Sequence, residues 1–252
     1  MAIPLKKIIY PLYFLIKKNI SPELYQKIRK TIPPLFAFFY RNNLNELAVI
    51  FETDKRAEHH GFTEMYQTHF HSLRKKKLNF LEIGIGGGDD PQKGGSSLRM
   101  WKRYFRNSKI SGIDIADKRP HNERRIKTYM GDQSSERFLK TVEKEIGPLD
   151  IIIDDGSHEN HHVLKSFEVL FPLLKDNGIY VVEDTQTAYW KEYQGSSSNL
   201  NSLSTSTGFI KSLCDYVNED FIKRPSTYSL EYYNKHIRSV HFYKNICFIY
   251  KK

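Results

Sequence analysis

Two clusters of side chains in this 252-residue chain could do chemistry together: Asp154-Asp155-Gly156-Ser157-His158 and, downstream, Glu183-Asp184-Thr185. Each ends a short apolar run, the place where a buried strand would surface. Carboxylates crowded at neighbouring strand tips repel unless a cation neutralises them. Asp155, Glu183 and Asp184 are therefore read as oxygen ligands for a hard divalent ion such as Mg²⁺. The competing reading has these acids capping the helices that follow or pairing with lysines. His158 lies three residues after Asp155 in the turn that leaves the strand. Histidine's ordinary pKa of about 6.5 suits a general base acting on a hydroxyl held at the metal. A lone histidine would be read as a satisfied structural side chain, but its place beside this acidic cluster favours the base. His161 and His162 fall on the next helix and are expected at the surface or behind the ligands.

A second constellation precedes these. Glu82-Ile83-Gly84-Ile85-Gly86-Gly87-Gly88 ends another apolar run, and glycines at a strand's carboxyl end let a ligand approach the backbone closely. Alone this is a weak signal. The next apolar run ends in Gly112-Ile113-Asp114, which places a carboxylate at the neighbouring tip, where it can hold two ribose hydroxyls. The choice between NAD and S-adenosylmethionine (SAM) turns on the loop after Gly86. Asp89 to Ser96 intervene where a dinucleotide fold would open straight into a helix, so SAM is favoured. Gly131-Asp132-Gln133 ends a third run. There Asp132 and Gln133 could meet an adenine edge, or Asp132 or Ser134 could cap a helix.

Positioning these groups requires alternating strands and helices. Leu78 to Ile83, Lys109 to Ile115, Ile126 to Met130, Leu149 to Asp154 and Gly178 to Glu183 read as buried strands. Ser97 to Phe105, Ser134 to Glu145 and Asn160 to Leu174 carry helical periodicity between them. Such alternation predicts an α/β, Rossmann-like doubly wound sheet. A helix around Phe209 to Ile222 then gives way to two strands, Ile237 to Tyr243 and Ile246 to Tyr250, joined by a tight Lys244-Asn245 turn. This C-terminal antiparallel hairpin is a class I SAM methyltransferase feature rather than a dinucleotide-fold one. The Ser/Asn-rich stretch 192–208 is read as a lid over the site rather than a passive connector.

Hydrophobic residues at 39% and aromatics at 13% can fill a sizeable core, which excludes wholesale disorder. Two cysteines, Cys214 and Cys247, support neither a disulfide framework nor a zinc site and fit a reducing, cytoplasmic setting. The net charge is +10, and residues 1–50 carry eight basic against two acidic residues. The excess therefore sits away from the acidic site, which argues against a nucleic-acid partner. The chain divides into a basic, apolar helical extension (1–50) and a body (51–252). In the extension the apolar runs Ile8 to Ile16 and Leu35 to Tyr40 are too short to span a bilayer, and Lys17-Lys18 disfavours a signal peptide. Two partners remain open for it: the body or a sister subunit of a homo-oligomer, and peripheral contact with the inner face of an anionic membrane.

The chain resembles the Mg²⁺-dependent, SAM-dependent sugar O-methyltransferases, including the macrocin and mycinamicin enzymes and the mycobacterial enzyme that methylates mannose in polymethylated polysaccharides. The resemblance runs from about Thr53 to Trp190. It is carried by Thr53-Asp54-Lys55 with His60 and Tyr66, by LEIGIGGG and GGSSLRMW, by GIDI, by DDGSH and by VVEDTQTAYW. The 28-residue separation of Asp155 from Glu183 also matches the family. The resemblance implies metal binding by Asp155, Glu183 and Asp184 and proton abstraction by His158. It implies SAM held near Glu82 and Gly84 at the methionine end, Asp114 at the ribose and Asp132 at the adenine. Lys55, His60 and Tyr66 match a segment that packs over the cofactor. With Gly86, Ser96, Gln133 and Asp154, these complete the expected cofactor set. The reaction so implied is methyl transfer from SAM to a hydroxyl of a sugar-containing acceptor. Two other readings are a metal-dependent catechol O-methyltransferase and a non-catalytic, membrane-docked assembly protein of a glycan pathway. The proline-broken N-terminus and the chain after Trp190 do not match the family.

Overall fold

A computed structural model describes residues 15, 19–21, 24, 37–222 and 231–252. Most of the basic N-terminal extension, and with it the choice between subunit and membrane, lies outside the described residues. So does the stretch 223–230. No helix among the described residues is long and apolar enough to cross a membrane.

The chain order is α1 (Leu44–Ile50), α2 (Phe62–Phe70), β1 (Asn79–Ile83), α3 (Ser96–Tyr104), β2 (Lys109–Asp114), β3 (Ile126–Met130), α4 (Glu136–Ile146), β4 (Leu149–Asp154), α5 (Asn160–Leu170), β5 (Leu174–Glu183), α6 (Ser206–Val217), α7 (Glu231–His236), β6 (Ile237–Tyr243) and β7 (Ile246–Lys251). The seven strands form one sheet in the order β3-β2-β1-β4-β5-β7-β6. The first five are parallel, and β7 runs antiparallel to both β5 and β6. This is the expected doubly wound sheet closed by a hairpin.

Period-two alternation divides the sheet's side chains between two apolar layers. Phe80, Ile151, Val181 and Phe248 point to one face, where Leu47 of α1, Tyr66 and Phe70 of α2, and Trp101 of α3 cover them. Leu81, Ile152, Tyr180, Val182 and Cys247 point to the other, beneath Leu139 of α4, Phe167 of α5 and Leu213 of α6. Leu44, Leu47 and Ala48 of α1 are buried in the first of these layers, so the packed body begins inside the segment read as the extension.

Several helix boundaries move for local reasons. Helix α5 stops at Leu170 rather than Leu174, because Pro172 has no N–H to continue the ladder. Leu174, read as the end of that helix, and residues 175–177 instead open β5 four residues early. Helix α4 begins after Ser135, whose hydroxyl accepts from the Phe138 N–H at 3.4 Å. Neither Asp132 nor Ser134 is its cap; Asp132 accepts instead from the Ser134 N–H at 2.7 Å. Helix α6 spans Ser206–Val217 rather than 209–222, capped by Thr205.

Candidate functional site

Parallel strands deliver all three constellations to one edge of the sheet. Gly84 follows β1 with φ +86°, and a Cβ there would stand 1.9 Å from the Asp155 carbonyl oxygen. Only glycine lets the β1 and β4 tips approach this closely. The loop from Gly86 to Gly95 is held from behind: Lys118 Nζ donates to the carbonyls of Gly88 (2.6 Å), Asp90 (2.9 Å) and Lys93 (3.3 Å). Asp114 at the β2 tip accepts from the Ile85 and Ala116 N–H groups, each at 2.9 Å.

Two adjoining hollows open here. One, of about 440 Å³, is lined by Gly84, Gly86, Asp114, Asp132, Gln133, Asp155, His158 and Asp184 among others. The other, of about 260 Å³, lies against Thr53, Gly87, Ser96 and Ser97. Asp54, Gly84, Gly86 and Asp155 border both. The structure thus gathers eight of the fourteen expected site residues around the larger hollow and Ser96 at the smaller. The stretch 192–208 contributes no residue to either. Its ends are pinned by Asn160, whose Nδ2 donates to the Tyr193 carbonyl and whose Oδ1 accepts from the Ser206 N–H, both at 2.7 Å.

Asp155, His158 and Asp184 each offer a ligand atom, all within 4.8 Å of one another. His158 Nε2 lies 3.5 Å from Asp184 Oδ2 and 3.9 Å from Asp155 Oδ1. His60 Nδ1 approaches the other Asp184 oxygen at 3.2 Å. Both His158 (φ +61°) and Asp184 (φ +50°) hold left-handed backbone, which non-glycine residues adopt at a cost and which concentrates at functional sites. Two carboxylates at a pocket wall offer a set of hard oxygen donors, with one imidazole nitrogen facing both. That set, with the open cradle at Gly86, fits a divalent ion beside a nucleoside.

Five expected residues have other partners or lie deeper in this structure. Glu183, read as a metal ligand, is outside this cluster: its buried carboxylate accepts from Lys55 Nζ at 2.7 and 2.8 Å and from the Tyr66 hydroxyl. Burial and nearby Asp155 push its pKa well above the ordinary carboxylate range. Lys55 and Tyr66, read as covering the cofactor, are buried beneath the pocket as Glu183's partners. Glu82 is also interior, accepting from Ser97 Oγ (2.7 Å) and Trp101 Nε1 (3.2 Å), and burial pushes its pKa up to about 7. Asp154 lies under the floor, bonded to Ser166 Oγ and Gln133 Nε2, its pKa raised by burial. Gln133 borders the pocket, but its amide is engaged inward: Nε2 with Asp154 and Oε1 accepting from the Ser157 N–H at 2.8 Å.

Two pocket residues were missed. Asp54 sits inside the Thr53-Asp54-Lys55 motif, yet only the fold shows it at the junction of both hollows. His162, expected at the surface or behind the ligands, lines the larger hollow, its Nδ1 2.8 Å from Ser157 Oγ. Its position two residues into α5 was the available signal.

No protein-family model matches the chain. It is 44% identical over 209 residues to demethylmacrocin O-methyltransferase of Streptomyces fradiae, covering 83% of this chain and 53% of that protein. It is 43% identical over 193 residues to the 8-demethyl-8-alpha-L-rhamnosyl tetracenomycin-C 2'-O-methyltransferase of Streptomyces olivaceus, covering 77% and 50%. Among solved structures, the MycE methyltransferase of the mycinamycin biosynthetic pathway, in complex with Mg, SAH and mycinamycin VI, superposes with a TM-score of 0.76. Its sequence identity is 41%, over 83% of this chain and 54% of that one. The chain thus spans about half the length of the curated relatives it matches. Its fold is that of the class I SAM methyltransferases, and its close relatives are sugar O-methyltransferases.

Proposed function

We propose that the chain transfers a methyl group from SAM to a hydroxyl of a sugar carried by a natural-product glycoside, with a divalent ion, Mg²⁺, at the acceptor side. The observation that carries this is the Asp155–His158–Asp184 cluster opening onto the same hollow as Gly84, Gly86 and Asp114. When bound, SAM supplies an electrophilic methyl group and the ion lowers the pKa of the hydroxyl that attacks it. Asp114 still has lone pairs for ribose hydroxyls beyond the two backbone bonds it accepts. Asp155 and Asp184 would hold the ion. His158 Nε2, which faces both carboxylates, would take the hydroxyl proton as the new O–CH₃ bond forms and the methyl–sulfur bond breaks. The stretch 192–208, fixed at both ends by Asn160 and carrying exposed Leu200 and Leu203, is assigned to closing over the acceptor.

The test is mass-spectrometric detection of S-adenosylhomocysteine and an acceptor heavier by one methylene unit. The protein is incubated with SAM, Mg²⁺ and a panel of rhamnosyl and other deoxysugar glycosides. Product from at least one glycoside, abolished by EDTA, is expected. Equal turnover in excess EDTA would overturn the metal assignment, and no SAM binding by calorimetry would overturn the reading as a whole.

A further inference from the structure

Lys55 is a buried ammonium that the proposed reaction does not use. It is 1% exposed and reaches the strand tips from the segment preceding α2, which is fixed by the Thr63 N–H bond to its carbonyl at 3.1 Å. Its Nζ contacts one acid from each of three adjacent tips: Asp155 Oδ2 after β4 at 2.5 Å, Glu183 of β5 at 2.7 Å, and Glu82 of β1 at 3.5 Å. Burial works to lower its pKa, but these carboxylates outweigh burial and hold it well above the ordinary value. One ammonium is thus shared among three acidic side chains from adjacent strands.

Asp155 is shared between two sets of partners. Its Oδ2 binds Lys55 while its Oδ1 faces His158 at 3.9 Å. Glu183, the residue that the chain's order of motifs offers as a third ligand, is wholly engaged with Lys55 and Tyr66. Resting on the metal reading above, we propose that Lys55 is a resident counter-ion that competes with the divalent cation for Asp155 and Glu183. It holds these acids together before a metal enters. An ion gains Asp155 Oδ2 and Glu183 only as far as the ammonium gives them up. Such competition is reciprocal: what Lys55 contributes to the metal-free protein, it withholds from metal affinity.

Giving up one or two charge-assisted hydrogen bonds corresponds to roughly a 10- to 100-fold weakening of metal binding. Mn²⁺ is the probe, titrated by calorimetry and by electron paramagnetic resonance of the free ion, against the wild type, Lys55→Met, Lys55→Gln and Lys55→Arg. The neutral variants should bind Mn²⁺ at least about tenfold more tightly than the wild type, and Lys55→Arg within a few-fold of it. Their metal-free thermal midpoints should fall, and Mn²⁺ should raise them by more than it raises the wild type's. A neutral variant that folds only with Mn²⁺ present is the extreme form of the same result. Unchanged or weaker binding in both neutral variants overturns the competition while leaving the metal site standing. No Mn²⁺ uptake by any of the four proteins overturns both.

Discussion

Adding one methyl group at either of two neighbouring glycines should separate the fold's demands from the pocket's. At Gly84 an alanine Cβ would lie 1.9 Å from the Asp155 carbonyl oxygen, 2.6 Å from its carbon and 2.9 Å from Gly156 Cα, all backbone atoms. None of these can rotate away, so the β1 and β4 tips must separate. A left-handed backbone costs an alanine about 1–2 kcal/mol, and forced overpacking adds about 1–3, so Gly84→Ala should lose about 2–5 kcal/mol. For a chain of this size that lowers the thermal midpoint by roughly 4–20 °C. At Gly86 (φ +74°) a Cβ would meet nothing within 4 Å, because it stands in the space bordered by both hollows. Gly86→Ala should therefore lose only the backbone cost of about 1–2 kcal/mol while weakening SAM binding by tenfold or more. Differential scanning fluorimetry and calorimetric titration with SAM read the two effects separately. A Gly84→Ala midpoint within about 2 °C of the wild type, or a Gly86→Ala protein that binds SAM normally, would refute the close approach of the tips and the placement of the cofactor.

Replacing His158 with alanine should lower kcat by roughly 10²- to 10⁴-fold with SAM affinity within a few-fold of the wild type, read by product formation and calorimetry. Asp155→Ala or Asp184→Ala should abolish turnover and Mn²⁺ binding while sparing the SAM dissociation constant, since the proposed function assigns the cofactor to the β1 and β2 tips. Asp114→Ala should do the reverse, weakening SAM by roughly 10- to 100-fold as the ribose acceptor is removed, with Mn²⁺ affinity preserved. Half-buried His69, whose ring nitrogens lie 2.6 Å from the Tyr250 hydroxyl and 3.0 Å from that of Tyr243, has its pKa lowered to about 4 by burial and by His241. The folded state then refuses a proton that the unfolded chain accepts, so stability is lost as pH falls from about 6.5 towards 4 and is unaffected above. Discounted for solvent, the loss is on the order of 1–2 kcal/mol. Urea midpoints of His69→Gln should lack that part of the acid dependence.

The sheet was legible because parallel strands buried on both faces read as near-continuous apolar runs, and the residue at each tip follows from where the run stops. Ile126–Met130 and Leu149–Asp154 matched residue for residue. The direction in which a tip side chain turns was not legible. Glu183 and Asp184 are adjacent, and the sequence treats them as a pair, yet a strand places successive side chains on opposite faces. Glu183 therefore turns in to Lys55 and Tyr66, while Asp184, beyond the strand end, reaches His158 and His60. Lys55 lies 128 positions from Glu183, and nothing local records that partnership. That helix α1 belongs to the packed body was not legible for a different reason: its short apolar face, Leu44, Leu47 and Ala48, adjoins a basic apolar stretch of similar composition.

The turn at Asn245 reaches back to the proposed metal side of the site. Glu183 pairs with Ile246, and the Thr185 N–H donates to the Asn245 carbonyl at 3.2 Å, so the left-handed Asp184 is braced on both sides by chain made much later. Strain of about 1–3 kcal/mol at one residue does not persist without such bracing. A ribosome emits β1 to β5, and with them the glycine loop and Asp114, before it reaches the hairpin. During synthesis the nascent chain should therefore gain affinity for SAM first and for a divalent ion only once residues 237–251 have emerged, an order that pulldown of stalled nascent chains can resolve. If the proposed function holds, the capacity to bind cofactor would precede the capacity to react, and a chain interrupted between the two would sequester SAM without consuming it.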